Sequence, residues 1–225
     1  MYTIDLSEVK LSDLDLVGGK NASLGEMIQN LENLGVNIPG GFALTVKGYW
    51  EFIRFNKFDE RIRTLIGQIK KDDLVSLRKI GLEVRQIIRN GEWPQDLKNE
   101  IIEKYTELSQ QYGKDITDVA VRSSATAEDL PDASFAGQQE TYLNVRGPQQ
   151  ILTAIRNCFA SLFTDRAISY RDNFNFDHFD VGLSACIQKM VRSDLASAGV
   201  AFSLDTESGF KDVVLINGSY GLGES

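Results

Sequence analysis

Lys20 stands directly after Gly18 and Gly19, and Arg122 directly after the apolar run Val119-Ala120-Val121. A polar stretch then runs from Ser123 and Ser124 through Gly137 to Thr141. These residue types suit an oxyanion. Lysine supplies a compact point charge and arginine a planar fork of donors. A glycine lets backbone N–H groups come close to a phosphate. The three elements could converge on a polyphosphate, with Thr141 adding a hydroxyl. Each also has a plainer reading. Gly18-Gly19-Lys20 could be a tight turn with a solvated lysine, and Arg122 could pair with Glu128 or Asp129. The turn is not a P-loop, which needs a glycine where Leu14 stands and Ser or Thr where Asn21 stands.

The elements that must position these residues can be read from periodicity. Leu24, Met27, Ile28, Leu31 and Leu34 predict a helix over residues 22–34 with Gly35 as its stop. Lys20 then lies at the mouth of a helix N-terminus, a common anion site. Residues 119–121 and 141–145 read as a leaving and a returning strand, joined by the polar loop. Short strands are expected at Tyr2-Thr3-Ile4 and Phe42-Ala43-Leu44. Thr45 should cap a helix to about Phe55 whose Tyr49, Trp50 and Phe52 are core. Residues 59–112 carry three amphipathic helices, the last with Pro94 near its start. Helices over 149–160 and 161–170 precede a polar loop holding His178, the single histidine, read as a surface residue. Strands at 183–191, 198–204 and 213–216 lead to a glycine loop at the end of the chain. The fold class is α+β: a helix-rich segment over 46–112 joins mixed or antiparallel sheet parts from 1–45 and 113–225.

Composition excludes several classes. A net charge of -8 argues against a nucleic-acid surface. No apolar run is long enough to span a membrane, and residues 1–5 lack the pattern of a signal peptide. Cys158 and Cys186 form no zinc spacing and read as reduced, buried thiols of a cytoplasmic protein. There is no HExxH, GxSxG or Ser-His-Asp order to support a hydrolase or metalloenzyme.

Longer strings carry more than these single signals. They are LVGGKNASLGEMI (16–28), IPGGF (38–42), VRSSATAEDLPDASFAGQQETYLNV (121–145), FASLFTDRAISYR (159–171) and QKMVRSDLASAGVAFSLDTESGF (188–210). Together they resemble the phosphoenolpyruvate synthase family. The likeness is to its N-terminal, ATP-grasp-like nucleotide-binding domain, shared with pyruvate phosphate dikinases and rifampicin phosphotransferases. It covers nearly the whole chain, in order. Pyruvate phosphate dikinase is less similar around Arg122, and rifampicin phosphotransferase from Gln188 onward.

The resemblance implies a pyruvate, water dikinase of gluconeogenesis. ATP, pyruvate and water would give AMP, phosphoenolpyruvate and phosphate, with Mg²⁺. The domain would phosphorylate a histidine on a swivelling domain, which then visits a pyruvate-binding barrel. Position by position, the resemblance assigns Lys20, Arg122, Gly137 and Thr141 to the phosphate side of ATP. It assigns Gln188 to the adenine side, with the backbone around Met190 and Val191 as the adenine edge. It places no catalytic residue and no metal ligand in this chain. The phosphohistidine and the Mg²⁺-holding acids and amides are expected beyond Ser225, so a fragment inactive by itself is expected. The implied partners are ATP and the remaining domains, with a homodimer left open. A rifampicin-type antibiotic phosphotransferase and a nucleotide-binding module without chemistry are the alternatives.

Overall fold

The computed structural model describes residues 1–70, 73–126, 129–130, 133–134, 140–174 and 176–222. The chain divides into two units, Met1–Met190 and Val191–Ser225.

The first unit is built on a five-stranded antiparallel sheet. Its strands are β1 (Thr3–Asp5), β2 (Gly41–Leu44), β3 (Asp118–Ala125), β6 (Thr141–Arg146) and β7 (Leu183–Lys189), in the order β1-β2-β7-β3-β6. Between β3 and β6 lies a small hairpin, β4 (Asp129–Leu130) with β5 (Ala133–Ser134). Strand β7 is central and buried almost throughout, as expected for a strand covered on both faces. Successive side chains point to opposite faces of a sheet, and the sequence sorts accordingly. Phe42, Leu44, Val119, Val121, Ala185 and Ile187 enter the larger core, whereas Ala43 and Cys186 enter a smaller one with Val17, Ala22 and Ile28.

Helix α1 (Leu14–Leu31) covers the smaller-core face. The opposite face is covered by α2 (Val46–Phe55), α3 (Phe58–Ile66), α4 (Leu74–Arg89), α5 (Gln95–Gln111), α6 (Gly147–Ser161) and α7 (Asp165–Asn173). The apolar spacing of these helices explains their burial. In α4, Ile80, Val84, Ile87 and Ile88 are buried, and the Asp73 carboxylate caps the start by accepting from Val75 N and Ser76 N. Tyr49 and Phe159 meet edge to face, centroids 5.1 Å apart, in the centre of this layer. The second unit holds a hairpin of β8 (Ser197–Phe202) and β9 (Leu215–Tyr220).

Several expectations need correction. Strand β3 continues through Arg122, Ser123, Ser124 and Ala125, all paired with β7, where the sequence suggested a loop. The serines are buried in the sheet, so polarity misread their place. Helix α1 starts at Leu14, not at residue 22: a short first segment breaks at Gly18 and the helix restarts directly after it. Gly35 does close this region, at φ 82°. Thr45 precedes α2 as expected, but its hydroxyl donates to the Tyr2 carbonyl and accepts no hydrogen bond from the first turn of the helix. Gly218 lies within β9 rather than in a terminal loop. His178 is not a surface residue: its side chain is 14% exposed and held between Arg171 and Asp172.

Candidate functional site

The site begins at a break in a helix. Gly18 has φ 75° and ψ 164°, and α1 restarts immediately after it. Its backbone is pressed against β3. A Cβ at residue 18 would lie 2.4 Å from Ser124 Oγ and 2.7 Å from the Ser124 carbonyl oxygen. No other residue type fits that conformation and that gap. The restart therefore brings Gly19, Lys20 and Asn21 beside the second half of β3, which carries Arg122. A helix start leaves its first N–H groups without partners inside the helix and carries partial positive charge.

Lys20 and Arg122 are both exposed and line one cavity of about 260 Å³. Ser123, Cys186, Leu24 and Met27 line it with them. Arg122 is opposite Thr141 on β6 and opposite Cys186 on β7. Directly opposed residues share a face, so Thr141, Arg122 and Cys186 form one row across the sheet on the α1 side. Burial pushes the Cys186 thiol up to about 12, with Arg122 pulling the other way. The thiol is thus neutral at ordinary pH and acts as a small apolar lining group.

The other expected residues are placed less closely together. Thr141 lines a second cavity, with Tyr142, Gln149 and Gln150, at the edge of the sheet. Gln188 is buried, and its amide nitrogen donates to the Pro39 carbonyl at 3.0 Å. Met190 N donates to the Asp118 carbonyl at 3.0 Å, and Val191 opens the second unit. Gly137 and Glu128 lie outside the described residues, as does the side chain of Asp129.

Sequence reading missed a polar network beneath the cavity. The fully buried Asn21 amide donates to the Val17 carbonyl at 3.0 Å and to Ser184 Oγ at 2.9 Å. Ser184 Oγ in turn donates to the Leu44 carbonyl at 2.7 Å. The only available signal was a polar residue beside Lys20 inside an apolar pattern. Chemically, the cavity offers two cations and a helix start around a partly apolar pocket, an arrangement suited to a polyanion carrying an organic group.

Among the described residues no group of three or more His, Cys, Asp or Glu side chains could hold a metal ion. No described helix is long and apolar enough to cross a membrane.

A family model described as pyruvate phosphate dikinase, AMP/ATP-binding domain, matches residues 14–225. The match starts where α1 starts and includes every element of the cavity. Phosphoenolpyruvate synthase of Aquifex aeolicus is 58% identical over 219 residues, covering 97% of this chain and 26% of that protein. The Escherichia coli phosphoenolpyruvate synthase is 52% identical over 218 residues, 97% of this chain and 27% of its own length. A probable phosphoenolpyruvate synthase of Methanocaldococcus jannaschii is 43% identical over 219 residues, with 97% and 18% covered. The chain thus spans about a quarter of the length of the first two of these curated relatives. With Lys20 and Arg122 on one cavity and a match over nearly all of its length, the chain belongs to the pyruvate phosphate dikinase AMP/ATP-binding domain family.

Proposed function

We propose that this chain is the ATP-binding part of a phosphoenolpyruvate synthase, within an ATP-grasp-like domain. Its cavity would hold the phosphates of ATP while the bond between the α- and β-phosphates breaks: AMP would leave, the β-phosphoryl group would end on a histidine elsewhere in the protein, and the γ-phosphate would be released to water as inorganic phosphate. The whole protein would convert ATP, pyruvate and water to AMP, phosphoenolpyruvate and phosphate. The observation that carries the reading is the shared cavity of Lys20 and Arg122 inside a family-wide match. The names of the relatives favour pyruvate over an antibiotic as the acceptor. Both cysteines are free and buried, which suits the reducing cytoplasm.

Charge sets the roles. Phosphoryl transfer depends mainly on positioning and on neutralising phosphate charge. Lys20 would act as a point charge and Arg122 as a fork on two oxygens. Thr141, next to Arg122 across the strand pair, would add a hydroxyl, and Gly137 backbone N–H groups. Gln188, Met190 and Val191 would serve the adenine side. Mg²⁺ prefers carboxylate and phosphate oxygens. The cavity's lysine, arginine, serine and thiol do not fit a resident Mg²⁺, so Lys20 and Arg122 are assigned to phosphate alone.

Titration calorimetry of the natural protein with ATP tests the site. Lys20→Ala and Arg122→Ala should each weaken ATP by roughly ten- to a hundredfold, the usual cost of losing a charged hydrogen bond. Unchanged affinity in both would sink the assignment. Measuring AMP formation with pyruvate and with rifampicin separates the two acceptors: pyruvate should support it and rifampicin should not.

A further inference from the structure

Asn21, which lines the Lys20–Arg122 cavity, is fully buried, as are Ser184 and Ser124. The Asn21 amide nitrogen bonds the Val17 carbonyl, on the far side of the Gly18 break, and so ties together the two segments of α1. It also bonds Ser184 Oγ, which is anchored to the Leu44 carbonyl of β2. Ser184 is the Cα partner of Ser124, and Ser124 is the residue against which Gly18 is pressed. The contacts close a ring: Val17 and Gly18 to Ser124, Ser124 across the sheet to Ser184, Ser184 to Asn21, and Asn21 back to Val17. Lys20 adjoins one corner of the ring and Arg122 lies on the strand that forms another.

This ring is a costly way to fill a core. Asn21 Oδ1 and Ser124 Oγ are buried with no hydrogen-bond partner, and an unpaired buried polar atom is unfavourable. Alanine at residue 21 would remove that cost and favour the helix. Simple packing therefore does not account for the asparagine.

We propose that Asn21 and Ser184 are positioning residues for ATP phosphate binding: they fix the restart of α1 against β3, and thereby Lys20 against Arg122. The proposal rests on the reading of that pair as the phosphate-side contacts. Neither residue needs to touch the nucleotide.

The test is a double-mutant cycle in the natural protein, with ATP affinity read by calorimetry and folding by near-UV circular dichroism. Asn21→Ala should weaken ATP about tenfold with the fold intact, since small displacements of positioning groups are costly. In a Lys20→Ala background the same change should cost little further, because it acts through Lys20. Ser184→Ala should weaken ATP in the same direction, and Ser184→Thr, which keeps the hydroxyl, should restore it. If Asn21→Ala does not fold, the Ser184 pair carries the test. The proposal is overturned if Asn21→Ala and Ser184→Ala bind ATP normally. It is equally overturned if the Asn21→Ala loss persists in full without Lys20. If Lys20→Ala itself leaves ATP binding unchanged, Lys20 is not a phosphate contact, and the positioning role that acts through it falls; if Arg122→Ala is unchanged as well, the phosphate-side reading fails.

Discussion

Arg171 and His178 are tied together inside the protein. Arg171 is fully buried; its Nε donates to His178 Nδ1 at 2.9 Å, and its guanidinium stacks 5.4 Å from the Phe163 ring centroid. Burial lowers its pKa to about 10, which leaves it charged at neutral pH. Because His178 Nδ1 accepts from Arg171, the imidazole is neutral with its proton on Nε2, facing Asp172 Oδ1 at 2.9 Å. Burial, and then the Arg171 charge, hold His178 below its ordinary pKa, against the pull of Asp172 and Asp177. The folded state therefore takes up this proton less readily than the unfolded chain. The resulting stability is complete above the unfolded value of 6.5 and drains away as pH falls through it. Urea unfolding should show stability declining as pH falls below about 6.5, and His178→Gln should flatten that decline. An identical pH slope in the variant would mean that other groups govern it. No sequence pattern could have shown this arrangement. A histidine in a polar loop reads as exposed, and only the tertiary fold brings it onto a buried arginine.

Among the elements, the break in α1 carries the most consequence. Gly18→Ala places a Cβ in a region that only glycine adopts without strain, typically about 1–3 kcal/mol, and also pushes it into Ser124. A loss of at least about 2 kcal/mol in urea unfolding is expected. Adding Ser124→Gly should recover little of it, because the Ser124 carbonyl oxygen and carbon, at 2.7 and 2.8 Å, remain in place. Full recovery would show that the side-chain clash was the whole cost. The same region marks where sequence reading succeeded and where it stopped. The helices of the larger core were legible because Ile80, Val84 and Ile88, or Leu97, Ile101, Tyr105 and Leu108, repeat with the helical period. Lys20 and Arg122 were legible as cations beside a glycine turn and a strand. Their shared cavity was not, since it depends on the pairing of β3 with β7 and on a glycine that bends a helix instead of stopping it. Ser123 and Ser124 were read as loop because buried hydroxyls carry no alternation of apolar residues.

At the scale of the molecule the two units differ in what holds them. The first unit has a sheet with buried layers on both faces. In the second, β8 and β9 form a sheet of their own, and Val200, Phe202, Leu215, Ile216 and Tyr220 are exposed. Two strands without a covering layer are marginal in water. In a chain of these 225 residues, amides of β8 and β9 should exchange with deuterium orders of magnitude faster than those of β3 and β7. Equal protection by mass spectrometry would show that contacts beyond the β8–β9 pairing stabilise the hairpin. The register of β3 has a further implication for how sequences of this kind can change in length. Val121 points into the larger core and Arg122 to the opposite face, opposite Thr141 and Cys186. Inserting or deleting one residue between Asp118 and Arg122 would swap those directions. A guanidinium would enter the core and a valine would face the cavity. A change of two residues would keep the face but move the arginine about 7 Å along the sheet. Against β7, with which it pairs without a shift from Val119 to Ala125, this strand thus works like a reading frame. A change in length should therefore be tolerated better in a connection such as the one between α3 and α4, where no such parity has to be kept.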